Sequence, residues 1–356
     1  MAKSWGRAAV TTVVALGLLV PAGTAAAQGV EPVPGGVTAD ARPRGLHARV
    51  VGTLEADFVA GTLNKHGEVA FKNWQGEPTV WNAVTGHRRV LEGVPGAIPA
   101  DVADDGRVVG TTYDGRLVLW DEAGAPTVLG VPSGEDRVGW SSVRIGEDGT
   151  VLLSASHTYI PGGFPRTVAA SYRWRPGTGF QQLARSDEGS GADGLNDEGL
   201  IVGHVGNTPV AWHPDGSKDT YAKSPELTGR SWASGVNNSE VLVGWQQSAD
   251  YRITAPTKWN APDDPETLPD LGFGGRAGTV NDRGWIVGEA WTSADRARTV
   301  PVVWDPHGEV HRLDEVLDLP SGLTLESAEQ INDRRQLVVR ARNAANAPVI
   351  LVAQLT

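Results

Sequence analysis

Short runs of alternating apolar and polar residues recur along the chain, and one turn phrase interrupts them at regular intervals. The clearest copy, residues 280–288, reads VNDRGWIVG. Asn and Asp hydrogen-bond their own backbone and Gly tolerates positive φ, so Asn-Asp-x-Gly is typical of a tight turn. The β-branched pair Ile286-Val287 that follows favours a strand. The phrase therefore predicts the end of one strand, a hairpin turn and the start of the next strand.

The phrase occurs seven times, and its third and seventh copies are degenerate. The copies span residues 63–69, 102–110, 145–152, 195–203, 236–244, 280–288 and 331–339. Six copies are followed by an apolar or small pair that ends in tryptophan, namely Trp81, Trp120, Trp174, Trp212, Trp259 and Trp304. Because they keep register with the repeat, we predict that these tryptophans form its core and not a binding site.

The spacing of the turns predicts the architecture. From Gly67 in the first copy to Arg335 in the seventh is 268 residues over six intervals, and about 45 residues is the size of a four-stranded propeller blade. Each repeat would supply strand a before the turn, strand b after it, strand c ending at Trp, and strand d. The seventh repeat has no strand d, and residues 47–54 form a spare one. We therefore predict an all-β, seven-bladed propeller that the N-terminal strand closes within the last blade. A solenoid of stacked strands is the alternative.

Inner strands that converge on one axis should carry small residues. The predicted a strands carry only Ser, Gly or Ala at residues 141–142, 190–192, 233–235, 277–278 and 327–328.

Composition restricts the compartment and the partners. The N-terminal Lys3 and Arg7, the apolar residues 10–20 and the alanines 25–27 predict a Sec-type signal peptide over residues 1–27. A flexible linker, residues 28–45, and the propeller, residues 46–356, would follow. The net charge of −11 argues against nucleic acid and an anionic membrane surface. There is no Cys, so disulfides and thiolate sites are excluded. We expect a secreted bacterial protein, monomeric and not attached to a membrane after cleavage.

The repeat resembles the extracellular HAF repeat, whose core reads apolar-Asn-Asp-x-Gly-x-Val-Val-Gly before a step that ends in Trp. The matching pieces are residues 196–203 with 210–212, and residues 280–288 with 302–304. The resemblance covers about residues 47–356, although the His-Ala-Phe triplet is absent from the c strands. It implies a secreted, propeller-like repeat protein and no defined activity.

Variation in the length of the connections between strands predicts which face of the propeller carries a binding site. From the turn Gly to Trp is 14 residues in copies one and two, 25 in copy three and 20 in copy six. In a four-stranded meander this variation falls on the face formed by the b–c and d–a connections, called here the variable face. Connecting loops on a rigid scaffold often carry binding sites, although neutral loop drift and ordinary loop packing would give the same pattern. Candidate ligand-binding residues there are Trp74, Tyr113, Trp140, His157, Tyr159, Trp232, Trp245, Tyr251, Arg252 and Trp291. Arg166, Asp295 and Arg296 would lie on the same face.

Chemical motifs are sparse. The acidic turn residues occur one per repeat, which predicts that they cannot share a calcium ion, and EF-hand spacing is absent. His307 and His311 flank a Gly turn, but no metal site and no cofactor are predicted. No Gly-x-Ser-x-Gly or phosphate loop occurs. His157 and His204 are the candidates for a general base. The sequence therefore favours a non-catalytic module that binds an extracellular glycan or protein, and an extracellular lyase or glycoside hydrolase is the alternative.

Overall fold

The computed structural model describes residues 45–55, 58–59, 62–133, 140–159, 166–186 and 189–356. At positions 58–59, 156–159, 166–168 and 186 it describes the backbone alone. Residues 1–44, which hold the predicted signal peptide and nearly all of the predicted linker, lie outside the described residues. The predicted seven-bladed propeller is confirmed, because the described strands form seven sheets, of which six consist of four consecutive antiparallel strands and the seventh includes the N-terminal strand.

The strands are labelled in chain order, and the four of each blade are its strands a, b, c and d. The N-terminal strand is β1 (Ala48–Leu54). Blade 1 comprises β2 (Phe58–Val59), β3 (Glu68–Lys72), β4 (Pro78–Asn82) and β5 (Arg88–Val90). Blade 2 comprises β6 (Ala97–Val102), β7 (Val108–Thr112), β8 (Leu117–Trp120) and β9 (Pro126–Gly130). Blade 3 comprises β10 (Trp140–Ile145), β11 (Val151–Tyr159), β12 (Arg166–Arg175) and β13 (Gly179–Ser186). Blade 4 comprises β14 (Ser190–Leu195), β15 (Ile201–Val205), β16 (Thr208–Trp212) and β17 (Lys218–Thr220).

The remaining blades follow the same order. Blade 5 comprises β18 (Ser231–Val236), β19 (Leu242–Gln247), β20 (Thr254–Trp259) and β21 (Pro265–Thr267). Blade 6 comprises β22 (Gly275–Val280), β23 (Ile286–Trp291), β24 (Thr299–Trp304) and β25 (Val310–Arg312). The connection to the last blade holds helix α1 (Leu313–Val316) and β26 (Leu317–Asp318). Blade 7 comprises β27 (Thr324–Ile331), β28 (Gln336–Arg342) and β29 (Pro348–Leu355), completed by β1.

The N-terminal strand closes the ring as predicted. Strand β1 lies antiparallel to β29, with Ala48 opposite Leu355 and Leu54 opposite Ile350. Leu54 is buried beside Trp81 of blade 1, so the closing strand also packs against the next blade. Pairing β1 with β29 removes the open edge that a three-stranded last blade would leave.

The sequence did not predict what lies outside the closing strand. Strand β26 pairs with β1 in parallel, so the last sheet has five strands. Leu313, Val316 and Leu317 of this connection are buried against blades 6 and 7. Helix α1 has four residues, and no helix in the described ranges is long and apolar enough to cross a membrane.

The repeat tryptophans form the core between blades. Trp120, Trp259 and Trp304 are fully buried, Trp81 and Trp212 are nearly so, and Trp174 is half-buried. The indole N–H of each fully buried tryptophan donates to a backbone carbonyl in the connection that enters its blade, at Glu92, Ala222 and Pro269. Each of these indoles therefore packs as apolar core and fixes the entry of its blade.

The turn asparagines link the blades as well as forming the turns. The set is Asn64, Asn196, Asn237, Asn281 and Asn332. The Asn281 side-chain oxygen accepts the amides of Arg283 at 3.0 Å and Trp285 at 2.9 Å, which is the expected turn bonding. Its Nδ2 donates to the carbonyl of Asn332 in the next blade at 2.8 Å, and Asn332 donates to Asn64 at 2.9 Å. All five make both kinds of bond, so they connect five of the seven blade junctions.

The turns in which another residue replaces the glycine keep the same backbone. Gly284 has φ 79°, and Arg335 of the seventh copy adopts φ 60° without being glycine. Glu240 of the fifth copy does the same at 58°. These two residues occupy the left-handed region of backbone conformation, where the Cβ atom imposes a steric cost in free energy that glycine would avoid.

Small residues occupy the inner strands, as predicted. A Cβ added to Gly235 would lie 2.7 Å from the carbonyl oxygen of Gly278 in the next blade. Close approach of neighbouring inner strands therefore requires glycine at position 235.

Candidate functional site on the variable face

The b–c and d–a connections meet on one face. The amide of Tyr113, in a b–c turn, donates to the carbonyl of Gly96 in a d–a connection. The amide of Trp291 donates in the same way to Gly274. The extra length of the third repeat lies partly in the strands β11 and β12, of nine and ten residues, which extend toward this face.

Three of the predicted aromatic residues come together where blades 4, 5 and 6 meet this face. Trp232 and Trp245 are cross-strand neighbours, with ring centroids 4.8 Å apart. The imidazole of His204 stacks on Trp232 at 4.0 Å, with 10° between the planes. Trp291 joins through the guanidinium of Arg276, which lies 5.0 Å from the Trp245 ring centroid and 5.4 Å from that of Trp291. We call these residues, His204, Trp232, Trp245, Arg276 and Trp291, the aromatic–arginine cluster.

Arg276 is the member that sequence reasoning missed. It pairs across strands with Glu289, and the two charged groups are 3.5 Å apart. Its side chain is 43% exposed, whereas Trp245 and Trp291 are almost completely buried. Its position in blade 6 corresponds to that of Trp232 in blade 5, at the start of strand a. That correspondence was the available indication that Arg276 would reach the cluster.

His204 is held between an aromatic ring and a carboxylate. Its Nδ1 lies 3.6 Å from an oxygen of Asp193, beyond hydrogen-bond distance. Gly191 makes room for the imidazole, since a Cβ there would lie 2.4 Å from His204 Cε1. The ring is only 7% exposed. The predicted general-base candidate is therefore near a carboxylate but lies beneath Trp232.

Several buried polar atoms in this region make no hydrogen bond within the protein. They are His204 Nδ1, Trp232 Nε1, Arg276 Nε, Gln246 Nε2 and Ser231 Oγ. A buried polar atom without a partner costs about 1–3 kcal/mol, and such atoms are uncommon in native proteins. Their concentration on blades 4 to 6 distinguishes this part of the face.

The connections of blades 5 and 6 extend the cluster outward. The guanidinium of Arg296 lies 4.9 Å from the Trp291 ring centroid and donates to the carbonyl of Arg252. Tyr251 is half-exposed, and the guanidinium of Arg230 lies 5.5 Å from its ring. Asp295, in the same connection as Arg296, accepts a hydrogen bond from Ser293 at 2.6 Å. Bonds from the Ser293 hydroxyl and the Ala297 amide hold the pKa of Asp295 below its usual value.

Other predicted residues lie on blades 1 to 3. Trp74 is 64% exposed on a b–c turn. Tyr113 accepts a hydrogen bond from Lys72 at 2.7 Å, and the same ammonium lies over its ring. Trp140 is half-buried, donates to the carbonyl of Gly115 and packs edge-on against Tyr172, so it is a packing residue. The side chains of His157, Tyr159 and Arg166 lie outside the described residues.

The opposite mouth of the channel carries an acidic ring. It consists of the residue that follows the turn Asn position in each blade, namely Lys65, Asp104, Glu147, Asp197, Asn238, Asp282 and Asp333. At five junctions the backbone amide of one member donates to a side-chain oxygen of the next, as from Asp282 to Asp333 at 2.8 Å. The ring lines a central cavity of about 180 Å³ to which all seven blades contribute.

Strand convergence brings one acidic residue from each of five blades to the same mouth of the channel. Burial raises the pKa of Asp333, and the carboxylates of Asp282 and, across the channel, Asp197 raise it further. Burial likewise raises the pKa of Glu147, with repulsion from Asp104 and Asp197. Within the described ranges, no three ring carboxylates bring ligand atoms within 4.8 Å of one another.

No family model matches the sequence, and no curated protein matches it. Among solved structures, the chain is similar to the Pyrococcus horikoshii acylaminoacyl peptidase, with a TM-score of 0.55 and 11% identity over 84% of this chain. This chain spans about half of that peptidase chain, 52%. A luciferin-regenerating enzyme gives a TM-score of 0.45 and 10% identity, covering 88% of this chain and 95% of that one. The Myceliophteria thermophila Cps50 (Swd1) β-propeller domain gives 0.47 and 10%, covering 87% and 100%. The similarity to the peptidase concerns the fold alone.

Proposed function

We propose that this propeller is a secreted, non-catalytic binding module whose variable face binds an extracellular glycan through blades 4, 5 and 6. Sugars are commonly bound by aromatic rings beside a few polar groups on a preformed surface. The signal-like N-terminus and the resemblance to the HAF repeat support secretion. A protein partner on the same face is the alternative, and a glycan array combined with a pull-down distinguishes the two ligand classes.

One observation carries the proposal, the aromatic–arginine cluster. It combines three tryptophan rings, of which Trp232 is partly exposed, with the half-exposed guanidinium of Arg276 that packs against two of them. The half-exposed Tyr251 and the exposed Arg252 continue the surface outward. Aromatic rings and arginines are also enriched at the energetically important centres of interfaces.

The experiment combines a glycan array with a pull-down from culture medium. We expect glycan binding that Arg276→Gln and Tyr251→Ala weaken at least tenfold, because both side chains are accessible and neither is core. Trp74, which the sequence also offers as a candidate, is an exposed aromatic on the same face in blade 1, and Trp74→Ala should bind normally if the site is confined to blades 4, 5 and 6. A glycan signal unchanged in both cluster variants would refute the named site. Capture of a protein in the pull-down, without any signal on the glycan array, would show that the ligand is a protein and not a glycan.

A second candidate, a propeller lyase or glycoside hydrolase, is favoured by the pair of His204 and Asp193. An imidazole near a carboxylate can serve as a general base. Turnover of an uronate-containing polysaccharide that His204→Gln abolishes, with glycan binding retained, would establish the enzyme. Turnover unaffected by that substitution would exclude His204 as the base.

A further inference from the structure

The c–d hairpin of blade 6 gathers three metal-ligating side chains outside the variable face. The amide of Asp305 donates to the backbone carbonyl of Glu309, and the amide of Gly308 donates to the backbone carbonyl of Asp305. One oxygen of Asp305, Oδ1, accepts the amides of His307 and Glu309, each at 2.9 Å. Its other oxygen, Oδ2, faces His311 Nε2 at 3.4 Å. The turn therefore fixes the aspartate and leaves one oxygen for another partner.

Glu309 completes the group. Ligand atoms of Asp305, Glu309 and His311 all lie within 4.8 Å of one another. His311 is 6% exposed, while Glu309 is exposed. The group borders a cavity of about 260 Å³ that Leu46 and Thr356 also line. A buried imidazole and two carboxylates thus face a space that opens toward solvent.

We propose that Asp305, Glu309 and His311 bind a divalent transition-metal ion of the zinc class. One imidazole nitrogen and two carboxylate oxygens suit zinc, and three protein ligands leave a position for water. The 3.4 Å between His311 Nε2 and Asp305 is long for an N–H···O bond, whose usual length is about 2.9 Å. Two ligands of one tetrahedral zinc at about 2.1 Å lie about 3.4 Å apart.

Blade 4 provides an internal comparison. There the corresponding hairpin places His213 directly after Trp212 and Asp219 six residues further on, the reverse order of blade 6. Their side chains are 2.9 Å apart, an ordinary hydrogen-bond length. The position of Glu309 is occupied by Ser217, and the other carboxylate of this hairpin, Asp215, bonds Ser217 and does not complete a three-ligand group with His213 and Asp219. Blade 4 therefore forms a hydrogen-bonded His–Asp pair. The blade 6 hairpin differs from it by having Glu309 as a third potential ligand.

The position of the site relates it to ring closure. Leu46 precedes β1 and Thr356 follows β29, and the Thr356 amide donates to the carbonyl of His47 at 2.8 Å. An ion bound there stabilises the folded ring because the site is absent from the unfolded chain. Arg335 lines the same cavity, and its charge opposes a cation. Neutralising Arg335 should therefore tighten binding.

The test is calorimetric titration of tag-free, chelator-treated full chain with Zn²⁺. We expect one zinc per chain, bound at least tenfold more weakly by Glu309→Gln and more tightly by Arg335→Gln. The exposed position of Glu309 keeps the fold of that variant intact. Asp219→Asn in blade 4 is the matched control and should bind zinc like the wild type.

A thermal melt gives an independent readout. Zinc should raise the Tm of the wild type and of Asp219→Asn by similar amounts, and that of Glu309→Gln by less at the same zinc concentration. The absence of saturable binding, or equal affinity in Glu309→Gln and wild type, would overturn the site. Stronger binding of Ca²⁺ than of Zn²⁺ would overturn the assignment to the zinc class, since calcium prefers ligand sets made of oxygen alone.

Discussion

The asparagine that opens a turn makes one set of hydrogen bonds that the sequence predicts and one that it does not. Its side-chain oxygen bonds amides two and four residues ahead, which the sequence predicts because the partners are local. Its Nδ2 bonds a carbonyl in the next blade, as from Asn281 to Asn332, 51 residues away. No local pattern reveals a partner at that separation. The repeat is thus a blade connector as well as a turn.

Replacing Asn281 with alanine should therefore cost more than replacing an asparagine that only forms a turn. Asn343 makes the same pair of turn bonds, to Ala345 and Ala347, on a b–c turn. We expect Asn281→Ala to lower the free energy of unfolding by about 1 kcal/mol beyond Asn343→Ala, because it removes the inter-blade hydrogen bond to the buried Asn332 carbonyl, which keeps only the bond from the Arg335 amide. Urea denaturation of both variants measures the difference, and equal losses would refute the connecting role.

The candidate site was predictable only in part, for similar reasons. Trp232, Trp245 and Trp291 could be placed on the variable face because they fall out of register with the core tryptophans. Arg276 occupies the position of Trp232 in the next repeat, but its contact with two rings depends on how blades 5 and 6 pack, which the sequence does not show. Trp140 was predicted for binding, yet its indole N–H bonds the carbonyl of Gly115. An aromatic residue at a strand end can pack between blades as readily as it can face a ligand.

At the scale of elements, the closing strand was predictable and the strand outside it was not. Strand β1 repeats the sequence of a d strand, so the missing d strand of blade 7 identified its place. Strand β26 has two residues and pairs in parallel with β1. It is too short to show a periodic pattern. Helix α1 has four residues and was missed for the same reason.

Removing β1 should destabilise the whole ring. Deleting residues 28–54 exposes the edge of β29, removes the partner of β26 and uncovers the pocket of Leu54. We expect a loss of at least about 3 kcal/mol, from the buried apolar surface and the ladder hydrogen bonds. Deleting residues 28–44 keeps β1 and is the control. Equal melting temperatures of the two truncated proteins would contradict closure by β1.

At the scale of the whole molecule, the two mouths of the channel differ in chemistry. The turn face presents five carboxylates, one amide and Lys65 in a ring, whereas the variable face presents the exposed aromatic residues Trp74 and Tyr251 and the arginines Arg252 and Arg276. Lys65 bonds Asp104 at 2.9 Å, and the amide of Asn238 bonds both Asp197 and Asp282 at 2.8 Å. The pKa values of Glu147 and Asp333 are raised, because burial and repulsion from neighbouring carboxylates disfavour their charged forms.

Neutralising Asp333 should stabilise the protein at neutral pH. Its pKa is raised in the folded ring, so the charged form costs stability above that pKa, and the cost disappears as the pH falls below the unfolded value. Asp333→Asn keeps an oxygen for the Asp282 amide, as Asn238 does in blade 5. We expect a gain of up to about 1 kcal/mol at pH 7, and none near pH 3. Denaturant titrations at both pH values measure it, and destabilisation at pH 7 would contradict the repulsion.

Ligand binding at the variable face of blades 4, 5 and 6 is the function proposed for this molecule. Hydrogen-exchange mass spectrometry of the full chain, with and without a glycan selected on the array, tests it most directly. We predict slower exchange in the segments 204–208, 229–233, 245–254 and 289–299, with the turn segments 64–68 and 281–285 unchanged. Protection confined to the turn segments would place the ligand on the acidic mouth and contradict the account.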